Sequence, residues 1–278
     1  MMRVDAHQHF WRLADRDGAW PPASLTAIHR DFLPPDLSGA LARHAIGQTV
    51  LVQSLPTEAD THFMLSLADQ HSFIGAVVGW TDLKAPDAPQ RIAALASHPA
   101  LRGLRPMLQE LDDDWIADPA LAPAVQAMCA HQLTFDALVL PRQLPALLVF
   151  AERFPDLPIV IDHGAKPLIA AGDIEPWRAD MLRLAALPQV CCKVSGLVTE
   201  ARADWNIEQL RPYVDTIVDA FGAQRVMWGS DWPVLDLAAD YDRWLAVSAA
   251  LLANRSDAER QAIFGATAIA FYQLRTTP

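Results

Sequence analysis

The sequence predicts an α/β protein with the (β/α)8 TIM-barrel architecture, on three observations. Eight short runs rich in apolar and β-branched residues recur along it, helically spaced segments lie between them, and unusual polar residues close several runs. The expected strands span residues 3–7, 49–53, 74–80, 103–106, 133–139, 159–163, 190–195 and 226–231. Near-continuous apolar stretches such as Val50-Leu51-Val52 and Ile159-Val160-Ile161 suit strands covered on both faces, as in a parallel sheet wrapped by helices. No Gly-x-Gly-x-x-Gly follows the first strand, which argues against a doubly wound sheet.

The helices follow from spacing and punctuation. Leu144, Leu147, Leu148 and Ala151 recur on one helical face before Pro155. Ile207, Leu210, Val214, Ile217, Val218 and Phe221 do the same before Gly222, and Pro212 within that pattern predicts a kink or a later start. Ser256-Asp257-Ala258-Glu259 reads as a capping box opening a last helix, with Gly265 expected to close it. The longest interval follows the first strand. Residues 10–35 carry Trp11, Trp20 and four prolines, and such a loop is expected over the mouth of the barrel.

With 278 residues and 52% hydrophobic content, one domain spanning 1–278 is expected. A net charge of −11 disfavours nucleic acid and anionic membranes as partners. Cys129, Cys191 and Cys192 show neither a disulfide framework nor zinc-finger spacing. The opening residues lack the apolar core of a signal peptide, and no run reaches about 18 apolar residues, so a cytoplasmic, non-spanning protein is expected.

The polar strand ends carry the chemistry. His7 and His9 stand two apart and would face one space; Gln53, Arg105, His163, Lys193 with Ser195, and Asp231 end later strands. In a barrel these ends converge, and closure brings the eighth strand beside the first, so Asp231 is expected to face His7 and His9. Three imidazoles and a carboxylate can hold a divalent metal with an open position. Alternatively, they can donate to a carbonyl while the carboxylate takes a proton from water. Simpler uses exist for each: Asp231 as a helix N-cap, Arg105 in a surface pair with Glu110 or Asp112, Gln53 on local backbone, Asp5 as a structural carboxylate. No Gly-x-Ser-x-Gly elbow is present.

Three segments together, Asp5-Ala6-His7-Gln8-His9-Phe10-Trp11, Asp162-His163-Gly164-Ala165-Lys166-Pro167 and Gly229-Ser230-Asp231-Trp232-Pro233, resemble the amidohydrolase superfamily. Within it they are similar to the amidohydrolase-2 branch of sugar-lactone hydrolases, the group that acts on L-fuconolactone and L-rhamnonolactone. The resemblance spans nearly the whole chain, to the closing Ala270-Phe271-Tyr272 helix. It implies a barrel enzyme that opens a small aldonolactone by adding water. His7, His9, His163 and Asp231 match the active-site positions on the first, sixth and eighth strands.

A binuclear member also needs a bridging Lys or Glu on the fourth strand and a His on the fifth, where this chain has Arg105 and Phe135-Asp136. The implied cofactor is therefore a single divalent ion, zinc, that turnover does not require, with no organic cofactor. By the same resemblance Asp231 deprotonates water and then protonates the departing ring oxygen, His163, His9 and Arg105 polarise the carbonyl, and His7 supports them or the metal. Gln53, Trp11, Trp20 and Trp232 are expected to read the sugar, and Arg105 or Lys193 to hold the product carboxylate weakly. A zinc-dependent decarboxylase of the same branch and a non-catalytic carbohydrate-binding barrel are the competing readings. The preferred sugar, its ring size and the oligomeric state stay open.

Overall fold

Eight parallel strands pair in sequential order, β1 (Arg3–Gln8), β2 (Ile46–Val52), β3 (Ile74–Gly79), β4 (Leu101–Leu104), β5 (Thr134–Ala137), β6 (Ile159–Ile161), β7 (Val190–Val194) and β8 (Val226–Trp228). The structure is a computed structural model describing residues 2–274; Met1 and residues 275–278 of the expected 1–278 domain lie outside the described residues. The ring closes just past the strand ends, where His9 N donates to Trp232 O (2.8 Å) and Asp231 N donates to His7 O (2.8 Å). The fold is thus the (β/α)8 barrel that the pattern of runs predicts. Between the strands lie α1 (Pro34–Arg43), α2 (Glu58–Gln70), α3 (Ala88–Ala96), α4 (Ala122–Ala130), α5 (Leu144–Arg153), α6 (Trp177–Ala185) and α7 (Ile207–Phe221). The chain ends in α8 (Tyr241–Leu251), α9 (Asp257–Gln261) and α10 (Thr267–Phe271).

The strand alternation divides the core. Val50 and Val52 join Val4, Ala6, Val78 and Met227 in a small inner cluster, whereas the intervening Leu51 belongs to the large cluster between sheet and helices. Ala268 of α10 and Tyr272 just beyond it belong to the inner cluster, so the end of the chain fills the barrel from the side where the strands begin.

Several local expectations change. The chain is helical from the Ser256 capping box through a π-turn at Ala262–Ala266 into α10, and Gly265 does not end it. A Cβ at Gly265 would lie 2.3 Å from the Met2 carbonyl oxygen, so this glycine permits close packing of the helix on the start of β1. Helix α7 does not start late but runs from Ile207 through Pro212: Asn206 caps it, accepting from Glu208 N and Gln209 N, and its apolar face of Leu210, Val214, Ile217 and Phe221 is buried. Burial of that face outweighs the hydrogen bond that Pro212 cannot donate. Gly222 at φ 71° terminates it. Among the described residues no helix is long and apolar enough to cross a membrane.

The loop after β1 folds over the C-terminal end of the barrel. Trp11 stands at its centre, donating Nε1–H to Arg30 O (2.8 Å), with Trp20 and Phe32 edge-on to its ring at 5.1 and 5.3 Å. Phe32 in turn meets Trp232 at 5.2 Å, which ties this loop to the one after β8.

Candidate active site

His7 lies on β1 and His9 one residue beyond it, and their Nε2 atoms are 3.2 Å apart. This realises the two-residue spacing in space. The sixth and eighth contributors arrive differently from the expected strand ends. Strands β6 and β8 stop at Ile161 and Trp228, and the chain then enters the left-handed region: His163 has φ 54° and Asp231 φ 60°. Such a conformation costs a residue other than glycine about 1–2 kcal/mol, and it turns both side chains inward over the strand ends.

Hydrogen bonds hold these turns. Asp5 Oδ1 accepts from His7 N (3.2 Å) and Ser230 N (2.8 Å), and its Oδ2 accepts from the Tyr241 hydroxyl (3.0 Å). Asp5 is therefore the structural carboxylate expected, stitching β1 to the turn that carries Asp231. Burial pushes its carboxyl up to about 6 against the pull of the bonds from Ser230, His7 and Tyr241. Gly196, at φ 59°, lies against His163: a Cβ there would be 2.5 Å from His163 Nδ1.

Asp231 Oδ1 is the meeting point, 3.2 Å from His9 Nε2, 3.7 Å from His7 Nε2 and 3.8 Å from His163 Nε2. Burial alone would raise this carboxyl, but His163, the bond from His9, and His7 outweigh it and hold the group well below the usual carboxylate range. Burial drives His163 down to about 4 despite Asp231 and Asp162, and drives His7 well below the ordinary imidazole value. At neutral pH the site thus holds an ionised Asp231 with neutral His7 and His163.

His9 Nδ1 contacts the Val52 carbonyl oxygen at 2.7 Å and must donate there. A neutral His9 then presents a bare Nε2 to the Asp231 carboxylate at 3.2 Å, two acceptors that need a cation between them, either a proton or a metal. His163 Nδ1 is likewise fixed by Ser195 Oγ at 2.8 Å, leaving Nε2 toward the centre. His7, His9 and Asp231 offer ligand atoms that all lie within 4.8 Å of one another, so this triad fits one divalent ion.

Arg105, expected on the fourth strand, is buried beside the cluster rather than in a surface pair with Glu110 or Asp112. Its Nη1 is 3.2 Å from Asp162 Oδ2 and 3.4 Å from His7 Nε2. Gln53 Nε2 donates to Arg105 O (2.8 Å) while Arg105 Nη2 donates to Gln53 O. His9, Arg105, His163 and Asp231 line a cavity of about 490 Å³ together with Trp20, Leu25, Gln109, Lys166, Glu200, Val234 and Leu237.

The other expected contacts with a ligand are corrected by depth. Trp11 is buried behind Trp20 and Trp232 against Phe10 and Phe32, and neither lines the cavity; Gln53 and His7 are fully buried beneath it. Lys193 is also wholly buried, pairing with Asp136 (2.7 Å) and Asp162 (2.9 Å), out of reach of a product carboxylate in the cavity. The sequence reading missed the roles of Asp136, Asp162 and Lys166. A charged residue inside an otherwise apolar strand, as Asp136 in β5 and Lys193 in β7, was the available signal, because buried charges must pair.

A barrel with histidines and an aspartate at the strand ends around a possible metal position defines an amidohydrolase site, and the chain belongs to the amidohydrolase family, whose profile matches residues 4–274. It is 55% identical over 277 residues to the L-fucono-1,5-lactonase of Burkholderia ambifaria, covering 98% of this chain and 96% of that one. It is 40% identical to the L-fucono-1,5-lactonase of Burkholderia multivorans, with 98% and 96% covered. The crystal structure of an amidohydrolase from Burkholderia multivorans with bound zinc superposes at a TM-score of 0.92 with 38% identity, covering 99% of this chain and 100% of that one.

Proposed function

We propose that this chain is a lactonase that hydrolyses L-fucono-1,5-lactone to the open-chain aldonate. The observation that carries the reading is Asp231 in a cavity of about 490 Å³, its Oδ1 3.2 to 3.8 Å from the Nε2 atoms of His9, His7 and His163, with Arg105 in the same lining. Near-full-length likeness to two L-fucono-1,5-lactonases supports it. A lactone carbonyl is more electrophilic than an amide, so a positioned water and donors at the forming oxyanion suffice.

In this reading Asp231 takes a proton from water as its oxygen bonds to the carbonyl carbon. The carbon–ring-oxygen bond then breaks, and Asp231 returns the proton to the departing alkoxide. So depressed a carboxyl is a weak base, and Arg105 and His163 must polarise the carbonyl to compensate. His9 orients Asp231; His7, below the cavity, supports His9 and Arg105. A divalent ion held by His7, His9, His163 and Asp231 would polarise the carbonyl further and acidify water. Arg105, 3.4 Å from His7 Nε2, weakens that site electrostatically, in keeping with an ion that turnover does not require.

The cavity walls suit a deoxy sugar. The loops after β1 and β8 contribute Trp20, Leu25, Val234 and Leu237, an apolar side for the methyl group. The loops after β4, β6 and β7 contribute Gln109, Lys166 and Glu200, joined through Lys166 at 3.3 and 3.0 Å, a polar side for the hydroxyls. The test is proton release from freshly prepared L-fucono-1,5-lactone, followed with a pH indicator with and without a chelator. Hydrolysis well above the spontaneous rate is expected in both arms. No acceleration in either would end the proposal, and loss of all turnover on chelation would make the metal essential.

A further inference from the structure

We propose that Lys193 is a resident cation that stands in the place of a second divalent ion, so that this barrel accepts one metal at most. Two donor triads share His7: His7, His9 and Asp231 form one, and His7, Asp162 and His163 form the other, with the ligand atoms of each within 4.8 Å of one another. The first reaches the cavity through His9 and Asp231, the second through His163 alone. The second is already occupied by protein. Lys193 Nζ is 2.9 Å from Asp162 Oδ1 and 3.2 Å from His7 Nδ1, contacting two of the three donors, and it also pairs with Asp136 Oδ2 at 2.7 Å. Lys193, Asp136 and Asp162 are all wholly buried.

The charges close without a metal. Asp136 and Asp162 face Lys193 and Arg105, the latter 3.2 Å from Asp162 Oδ2, and the Tyr272 hydroxyl donates to Asp136 Oδ2 at 2.6 Å. A divalent ion added among His7, Asp162 and His163 would have to displace the ammonium, which already contacts Asp162 Oδ1 and His7 Nδ1, because two cations that close in a buried interior repel strongly. Removing the ammonium reverses the balance: two carboxylates would be left buried against one guanidinium, a net charge of −1 that favours uptake of a small divalent ion by Asp162, His7 and His163. A lysine that merely fills the barrel would have no such effect on metal uptake.

The test measures zinc content rather than turnover, so it stands apart from the lactonase assay. Apoprotein is dialysed to equilibrium against micromolar ZnCl2 and bound metal is counted by elemental analysis. Wild type and Lys193→Arg are expected to bind no more than one equivalent, and Lys193→Met to gain a further one. If Lys193→Met is recovered unfolded, it is refolded with and without zinc, and a cooperative melt that returns only with zinc supports the proposal. A second equivalent in the wild type, an unchanged stoichiometry in Lys193→Met, or failure of that variant to fold in either condition would overturn it.

Discussion

Asp231 concentrates the chemistry in one carboxylate. Asp231→Asn keeps the side chain's shape and removes its basicity, so kcat on the lactone should fall by about 10²–10⁴, the usual worth of a general base; a variant that keeps full kcat would remove the proposed role. The neighbouring histidine sets the response to acid. His163 titrates at about 4 instead of its ordinary 6.5, so the acid limb of kcat/KM is expected near pH 4, with activity nearly flat from 7 to 5.

Folding stability responds to the same shift. Between pH 6.5 and 4 the unfolded chain binds a proton that buried His163 refuses, so stability falls as pH falls, by about 3 kcal/mol across the window. Asp5, raised from 3.8 to about 6, binds its proton more readily in the native state and offsets this loss over much of the same range. Asp5→Asn should therefore show a steeper decline in Tm on acidification than wild type, and equal slopes would contradict the compensation. The identities of the inward residues were legible as polar letters at the ends of apolar runs. Their depth was not, since alternation says which face a residue takes but not its height along the barrel. That is why Trp11, Trp232 and Lys193 were expected against the ligand and lie behind or below it.

At the scale of the element, the turns after β6, β7 and β8 do the positioning. The strands were recognisable from their β-branched runs, yet several end earlier than the polar residues suggested. His163 and Asp231 sit instead on left-handed backbone, and neither residue type signals that conformation by itself. Gly196 is where the turn after β7 makes room for the turn after β6. Gly196→Ala would strain a backbone at φ 59° and drive a methyl into His163. A stability loss of about 1–3 kcal/mol is expected, with a fall in kcat that exceeds any change in KM. Thermal melts and steady-state kinetics on the one variant check both parts, and unaltered kcat would show that His163 can shift without consequence.

The barrel as a whole was the most legible level, because eight repeated apolar runs in one chain leave few other ways to bury them. The ligand it encloses was legible only through the resemblance, since the cavity's two-sided wall is assembled from loops far apart in sequence. That wall predicts discrimination. A lactone identical to L-fucono-1,5-lactone but bearing a hydroxyl on the terminal carbon should lose about 10- to 100-fold in kcat/KM, as an apolar wall rejects an added hydroxyl only modestly. Equal values for the two would place the methyl elsewhere. The seat of Tyr272 against Asp136 has a different consequence. Asp136 and Lys193 meet with their floor still open until Tyr272 is in place. The interior is therefore completed last, and a chain truncated before Tyr272 should accumulate as a protease-sensitive species however much of the barrel precedes the cut.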